Sequence, residues 1–349
     1  MARGEPHPAI VRSFTRPPEW RMNPATGEWV IVAPERSARP MMPPEESGPD
    51  QPPDYCPFCE GHEAETPPEL LAVRTPGSTP NGPGWLVRAI PNSFPAVRSS
   101  GAAEPVSDGF YYRSNGVGRH ELFIESAHHE KNLARLPVEQ VQRVVQVWLA
   151  RLREASRDPF LYYAQLFKNH GGDAGASVEH AHSQMIATPM IPIRMREELR
   201  YAAEYHQKHR RCVYCELLAR ELQAGERLVA DVPGFQAFVA FAGRQPYESW
   251  ILPTTHGCRM DRISAPEADQ LGTLLSIVLR KMDTALGGPS YNLVFHSAPF
   301  HEAPSPSYHW HVEVLPRMTQ LAGYEWGSGA HINPVRPEDA AEVLRDERA

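Results

Sequence analysis

No run of about 18 apolar residues occurs anywhere in the sequence, so no membrane-crossing helix is expected. The first residues, MARGEPHPAIVRSF, lack the apolar core of a secretory leader, and the expected location is the cytoplasm. An excess of basic charge is missing as well. Lys and Arg number 35 against 42 Asp and Glu, a formal net charge of −7. A general nucleic-acid binder needs a broad basic surface, so that class is disfavoured. An anionic substrate would have to be held by a few local Arg and Lys side chains. Cysteine is scarce, at five in 349 residues.

Four of the five cysteines are nevertheless arranged, as Cys56 and Cys59 in CPFC and Cys212 and Cys215 in CVYC. In a reducing compartment the C-x-x-C spacing favours a metal over a disulfide. The 152 residues between the pairs are too many for one zinc ribbon, so two separate sites are expected. Zinc is the preferred reading of each, with a thioredoxin-like redox pair as the alternative. Proline is abundant, 36 residues, about twice the average share. Much of it falls in Pro40–Pro57 and Pro67–Pro83, which read as irregular loops.

The chain carries one series of events twice. After CPFC comes HELFIESAHHEKNL, with Glu121 eight residues before His129; after CVYC comes YESWILPTTHGCRM, with Glu248 eight before His256. Each reads as a strand ending in a His-bearing turn. An amphipathic helix follows each: apolar residues stand at 138, 141, 144, 145, 148, 149 and 152 in one, and at 271, 274, 275, 278, 279 and 282 in the other. Pro137 and Pro266 suit a first helical turn. Then come the strands YYAQLFKN and YNLVFHS, a loop, and an H-x-H: His180 and His182 in one copy, His309 and His311 in the other. This is an internal duplication. It supplies four candidate ligands per zinc site: Cys56, Cys59, His129 and His180 in the first, Cys212, Cys215, His256 and His309 in the second. His128 competes with His129, and the matching spacing of the second copy favours His129.

The stretch VEHAHSQMIA places His180, His182 and Gln184 two apart. In a strand these share one face, roughly 6–7 Å per step. Such a row could bind metal, attack phosphorus, or be a polar strand face.

Taken together, RMNPATGEWVIVAPERSARP, CPFC, IESAHH, FKNHGGDAGASVEHAHSQ and YHWHVEVLP resemble the galactose-1-phosphate uridylyltransferase family of the histidine-triad superfamily, from Trp20 to about Asp339. The resemblance implies an α+β fold of duplicated histidine-triad-like halves, each an antiparallel sheet with packed helices. Residues 1–195 would form the catalytic half with one zinc site, and 196–349 a noncatalytic half with a second metal site. It implies nucleotidyl transfer by double displacement, with a nucleotide sugar and a sugar phosphate as partners, in a homodimer whose active sites are completed across the interface. His182 resembles the nucleophile, and Gln184 the amide that holds the phosphoryl oxygens. Arg36 and Arg39 resemble phosphate-binding arginines; Asn169 and Ser177 resemble loop residues near the phosphates. Asn92 and Phe94 fall where the family contacts the nucleoside, and Glu325 where a glutamate reaches hexose hydroxyls. Some members bind a second metal, Fe or Zn, through a Glu and three His, which map to Glu198, His296, His309 and His311. Thiolates prefer zinc, so the cysteine set is favoured for the second site.

The signature here is H-A-H-S-Q in place of H-P-H-G-Q, and GSGAHINPVRPED follows later. Both features look like the ADP-glucose phosphorylase branch, which passes an adenylyl group to phosphate. A late hexose-contacting Gln is missing, with His331 near its place. UDP-glucose:hexose-1-phosphate uridylyl transfer, a step of galactose metabolism, is the first expectation and ADP-glucose phosphorolysis the second. From a different class, the rival is a noncatalytic, zinc-stabilised nucleotide-binding protein.

Overall fold

The computed structural model describes residues 16–38, 55–101, 104 and 106–347. In chain order the strands begin with a hairpin, β1 (Glu19–Met22) and β2 (Trp29–Val32). Next come β3 (Leu71–Arg74), β4 (Trp85–Pro91), the short β5 (Val106–Ser107) and β6 (Tyr112–Arg113), and β7 (Arg119–Ile124). Helix α1 (Val138–Ala155) leads to β8 (Tyr163–His170) and β9 (His182–Thr188). Helices α2 (Ile193–His209) and α3 (Val213–Ala224) precede β10 (Leu228–Val232), β11 (Phe235–Val239) and β12 (Ser249–Pro253). Helix α4 (Ala265–Leu286), β13 (Tyr291–His296) and β14 (His311–Pro316) follow. The chain ends in α5 (Gly323–Ser328), β15 (His331–Asn333) and α6 (Pro337–Asp346).

Ten of these strands form one antiparallel sheet in the order β10-β11-β12-β14-β13-β8-β9-β7-β4-β3. The order is a palindrome of the duplicated plan: strand, strand, strand, helix, strand, strand occurs once on each side. The copies meet where β8 pairs with β13, with Asn169 opposite Asn292. This is the α+β, duplicated architecture the sequence implied. Outside it, β15 runs parallel to β2, so the two ends of the chain share a three-stranded sheet.

The two long helices cover one face of the large sheet. In α1 the inward residues are Val141, Val144, Val145, Trp148, Leu149 and Leu152, the stripe expected at helical period. In α4 they are Leu271, Leu274, Leu275, Val278, Leu279 and Met282. Fully burying each such side chain contributes about 1.5–3 kcal/mol. Ser264 and Glu267 close a capping box at the start of α4, with Pro266 in its first turn. Pro137, by contrast, is the N-cap of α1, with extended backbone, one position earlier than the sequence suggested. The helices touch closely at Gly272, where an added Cβ would lie 2.8 Å from the Cα of Gln142. Only glycine permits that approach.

Candidate active site and metal clusters

On β7 and β9 the residues alternate between two environments. Phe123, Met185 and Ala187 enter the core beneath α1. His182, Gln184 and His120 project from the opposite face, with Ile124 paired to His182 and Leu122 to Gln184. His180 does not extend that row. It lies in the turn before β9, which begins at His182, because its ring is drawn to the cysteines.

His182 is buried, with Phe58 edge-on at 5.5 Å between ring centroids. Its Nδ1 lies 2.8 Å from the main-chain oxygen of His180. A carbonyl only accepts, so Nδ1 carries the proton and Nε2 keeps the lone pair. Burial, then the Lys168 ammonium, lowers the His182 pKa and holds the ring neutral. Lys168 itself is buried; it donates to Glu125 at 2.7 Å and to the main-chain oxygen of His182 at 3.0 Å. A neutral imidazole with a free Nε2 is a competent nucleophile toward phosphorus.

The strands beside His182 carry amide side chains. Gln184 Oε1 lies 2.9 Å from His120 Nε2. Asn169, half-buried at the end of β8, accepts at Oδ1 from Asn292 at 2.8 Å. The loop that follows turns at Gly171, whose φ is +80° and where a Cβ would fall 2.1 Å from Ser290 Oγ; the exposed Ser177 lies further along it. Asn92 approaches His120 from β4's end, its N–H donating to the His120 main-chain oxygen at 2.9 Å. Phe94 is 91% exposed beside it. Arg36 is exposed in a short 3-10 turn after β2, and the Glu325 carboxylate caps α5 by accepting from Ala322 N at 3.0 Å. Among the described residues neither bonds to the His182 group. Arg39 lies outside the described residues. His120 and Lys168 escaped the sequence reading; the only local signal was the alternation that puts His120 on the face of Gln184.

Two clusters could hold metal ions. The donor atoms of Cys56, Cys59, His129 and His180 all lie within 4.8 Å of one another, as do those of Cys212, Cys215, His256 and His309. Cys56 Sγ and His180 Nδ1 are 3.5 Å apart, and Cys59 Sγ and His129 Nδ1 also 3.5 Å. In the second cluster Cys215 Sγ is 3.4 Å from His256 Nδ1 and 3.5 Å from His309 Nδ1. His180 Nε2 donates to Ser126 O at 2.8 Å and His256 Nε2 to Ser305 O at 3.1 Å. Each bond places the proton on Nε2 and turns the Nδ1 lone pair toward the thiols, the second support that metal-binding imidazoles need. The exposed His128 stays outside the cluster. A hydrogen bond from Cys215, opposed by burial and aided by His309, holds the Cys212 thiol below its ordinary range.

A third group, Glu198, His296 and His311, stands apart. The alternative set of one Glu and three His is therefore divided, as the preference for the cysteine set implied: His309 turns its Nδ1 to the thiols and leaves the other three together. His296 donates from Nδ1 to Glu198 at 3.1 Å and faces Glu313 with Nε2 at 3.2 Å. Burial opposes charge there, but the two carboxylates outweigh it and raise His296 to about 10. His311, the counterpart of His182, is fully buried among Tyr214, Trp250 and His296, with ring centroids 4.6–4.9 Å away. Glu313 takes the position of Gln184. At the matching positions the second copy thus has a histidine enclosed by aromatic rings, and a carboxylate in place of the amide.

The galactose-1-phosphate uridyl transferase family, described by its N-terminal domain, matches residues 13–192. The ADP-glucose phosphorylase of Arabidopsis thaliana is 33% identical over 94% of this chain and 93% of its own length. The galactose-1-phosphate uridylyltransferase of Thermotoga maritima is 31% identical over 94% and 98%. A crystal structure of an Arabidopsis ADP-glucose phosphorylase with bound ADP-glucose superposes with a TM-score of 0.81 at 31% identity, covering 95% of this chain and 99% of that one. A uridylyltransferase structure gives 0.73 at 28%, covering 94% and 97%.

Proposed function

We propose that this chain, which belongs to the galactose-1-phosphate uridyl transferase family, transfers a nucleotidyl group through a covalent bond to His182, with UDP-glucose and a hexose 1-phosphate as substrates in galactose metabolism. One observation carries the chemistry: the His180 carbonyl holds the Nδ1 proton of His182, which leaves the lone pair on Nε2, and none of the described residues takes it. In the first half-reaction Nε2 attacks the α-phosphorus of the nucleotide sugar. A P–N bond forms, the P–O bond to the sugar phosphate breaks, and hexose 1-phosphate leaves with the bonding pair. In the second, a phosphate oxygen of the acceptor attacks, and the pair of the broken P–N bond returns to Nε2. Charge that builds on the nonbridging oxygens is met by the amide of Gln184 and by Asn169, with Ser177 nearby.

Residues 1–195 act as the catalytic half and 196–349 as its noncatalytic twin. Zinc would suit both thiol–imidazole clusters, since two thiolates and two imidazoles are donors it prefers. Its contribution at Cys56, Cys59, His129 and His180 is to stiffen the turn that aims His182. Asn92 and Phe94 receive the nucleoside. Arg36, Arg39 and Glu325 would serve phosphate and hexose in a neighbouring copy, which is why we infer a homodimer; the setting is cytoplasmic.

Incubating the protein with UDP-glucose and no acceptor should leave a uridylyl group on His182, with a burst of glucose 1-phosphate equal to the sites. His182→Ala protein that still becomes labelled would refute the assignment, and wild-type protein that never does would favour a noncatalytic nucleotide binder.

A second reading, ADP-glucose phosphorolysis, draws support from the H-A-H-S-Q signature and from the higher similarity to the Arabidopsis phosphorylase. UDP- and ADP-glucose, each assayed with galactose 1-phosphate or inorganic phosphate, separate the two. A tenfold preference for ADP-glucose with phosphate, about 1.4 kcal/mol in the transition state, would install the second.

A further inference from the structure

His120 pairs with Ile186 across the β7–β9 ladder, and Leu122 with Gln184. His120 and Gln184 are thus diagonal neighbours on one face, within reach of long side chains. The ring nitrogen Nε2 lies 2.9 Å from Gln184 Oε1. The other nitrogen decides where the proton sits. The main-chain N–H of Ala96 points at Nδ1 from 3.0 Å, and an amide N–H can only donate. Nδ1 therefore accepts. A neutral imidazole has one proton, so it stands on Nε2 and is given to Gln184 Oε1. The carboxamide is held by its oxygen, and none of the described residues takes its two N–H donors.

Asn169 shows the same device, its oxygen occupied by Asn292 at 2.8 Å. Gln184 and Asn169 thus both have their acceptors tied, and none of the described residues takes their N–H donors, the arrangement an anion requires. His120 also meets the loop that carries Phe94. Asn92 Nδ2 lies 3.1 Å from Nε2, where no lone pair remains to accept from it, while Asn92 Oδ1 takes the Phe94 N–H at 2.8 Å.

We infer that His120 is the positioning residue of the phosphoryl site: the Ala96 N–H sets its tautomer, and its Nε2–H orients the Gln184 carboxamide so that NH2, not oxygen, meets the transferred phosphoryl group. It acts through Gln184 and touches no substrate. The inference rests on the reading of His182 and Gln184 given above.

The test separates the two. His120→Phe keeps a ring and removes both hydrogen bonds; His120→Gln restores an N–H donor near the place of Nε2. With UDP-glucose and no acceptor, rapid quenching should show His120→Phe forming the His182 adduct about 10–100-fold more slowly, the usual cost of a misplaced group. The Kd for UDP-glucose should move by no more than about threefold, since the lost interaction belongs to the transition state, and His120→Gln should recover most of the rate. In a Gln184→Ala background, His120→Phe should cost nothing further. An unchanged rate in the single variant, or fully additive losses in the double, overturns the inference. An absent adduct in wild-type protein condemns the reading of His182 and leaves the tautomer to be judged by itself. Nitrogen-15 spectra of the ring do so without any activity: they should show the Nε2–H form of His120, with that proton's signal displaced in Gln184→Ala. The Nδ1–H form, or a ring indifferent to Gln184→Ala, overturns the inference whatever the protein catalyses.

Discussion

Beneath the nucleophile, Lys168 and Glu125 form an ion pair with side chains 1% and 0% exposed. Removing two ions from water costs several kcal/mol each, and the pair offsets this only while both partners stand. Lys168→Met should destabilise the protein by about 3–5 kcal/mol, because Glu125 is left charged and alone; a lower denaturant midpoint would register it. Adding Glu125→Gln should restore much of the stability. It should not restore the rate of adduct formation, because the ammonium that holds the His182 carbonyl is still missing. Recovery of both would show that Lys168 has no part in aiming the ring. The neighbouring histidines should part company in the same way. His182→Ala should keep its metal and lose its adduct, whereas His180→Ala should lose metal from the first cluster and stability with it.

Among the elements, α6 shows how a single carboxylate closes the molecule. Glu338, near its start, accepts from Arg21 of β1 at 2.8 Å and from Arg227, just before β10, at 2.9 Å. Burial would raise the Glu338 pKa, but the arginines prevail and lower it from 4.5 to about 2. A carboxylate whose folded pKa is depressed contributes stability above its unfolded pKa and loses it as the pH falls through the folded one. The contribution of Glu338 should therefore be whole above about pH 4.5 and drain away toward pH 2. Glu338→Gln should cost about 1–3 kcal/mol at pH 7 and flatten that part of the acid limb. An acid limb identical to that of wild type would show that the bridge contributes nothing.

The helices were legible because their evidence is local. The apolar stripes of α1 and α4, and the Pro266 in the first turn of α4, each rest on residues a few positions apart. The thiol–imidazole clusters were legible because duplication stated the spacing twice. What the sequence hid are relations between strands. Nothing near His120 announces Gln184, 64 residues on, and nothing near Lys168 announces Glu125, 43 residues back. The division of the Glu198 set from His309 depends on which ring nitrogen faces which neighbour, and no spacing encodes that. The return of β15 to β2 was equally out of reach.

For the molecule as a whole, metal content is the decisive count. Elemental analysis of purified protein should give two zinc ions per chain. A third would mean that Glu198, His296 and His311 also coordinate one, against the two carboxylates that already engage both nitrogens of His296. Sedimentation should show a dimer at working concentration, and a fully active monomer would exclude a site completed by a neighbouring copy.

The seam between β8 and β13 also sets an order in time. Its partners, from His170 with Tyr291 to Leu166 with Phe295, lie 121 to 129 residues apart, whereas β8 and β9 pair residues only 17 to 25 apart. Distant pairings form late, because the intervening chain must be gathered first. On the ribosome, at about 5–20 residues per second, the inner edge of the first half would wait roughly 6–25 s for its partner strand to be made. Throughout that interval β8 is an open edge, a template for any other chain in the same condition. The strand that ends as the centre of the sheet begins as its most vulnerable border.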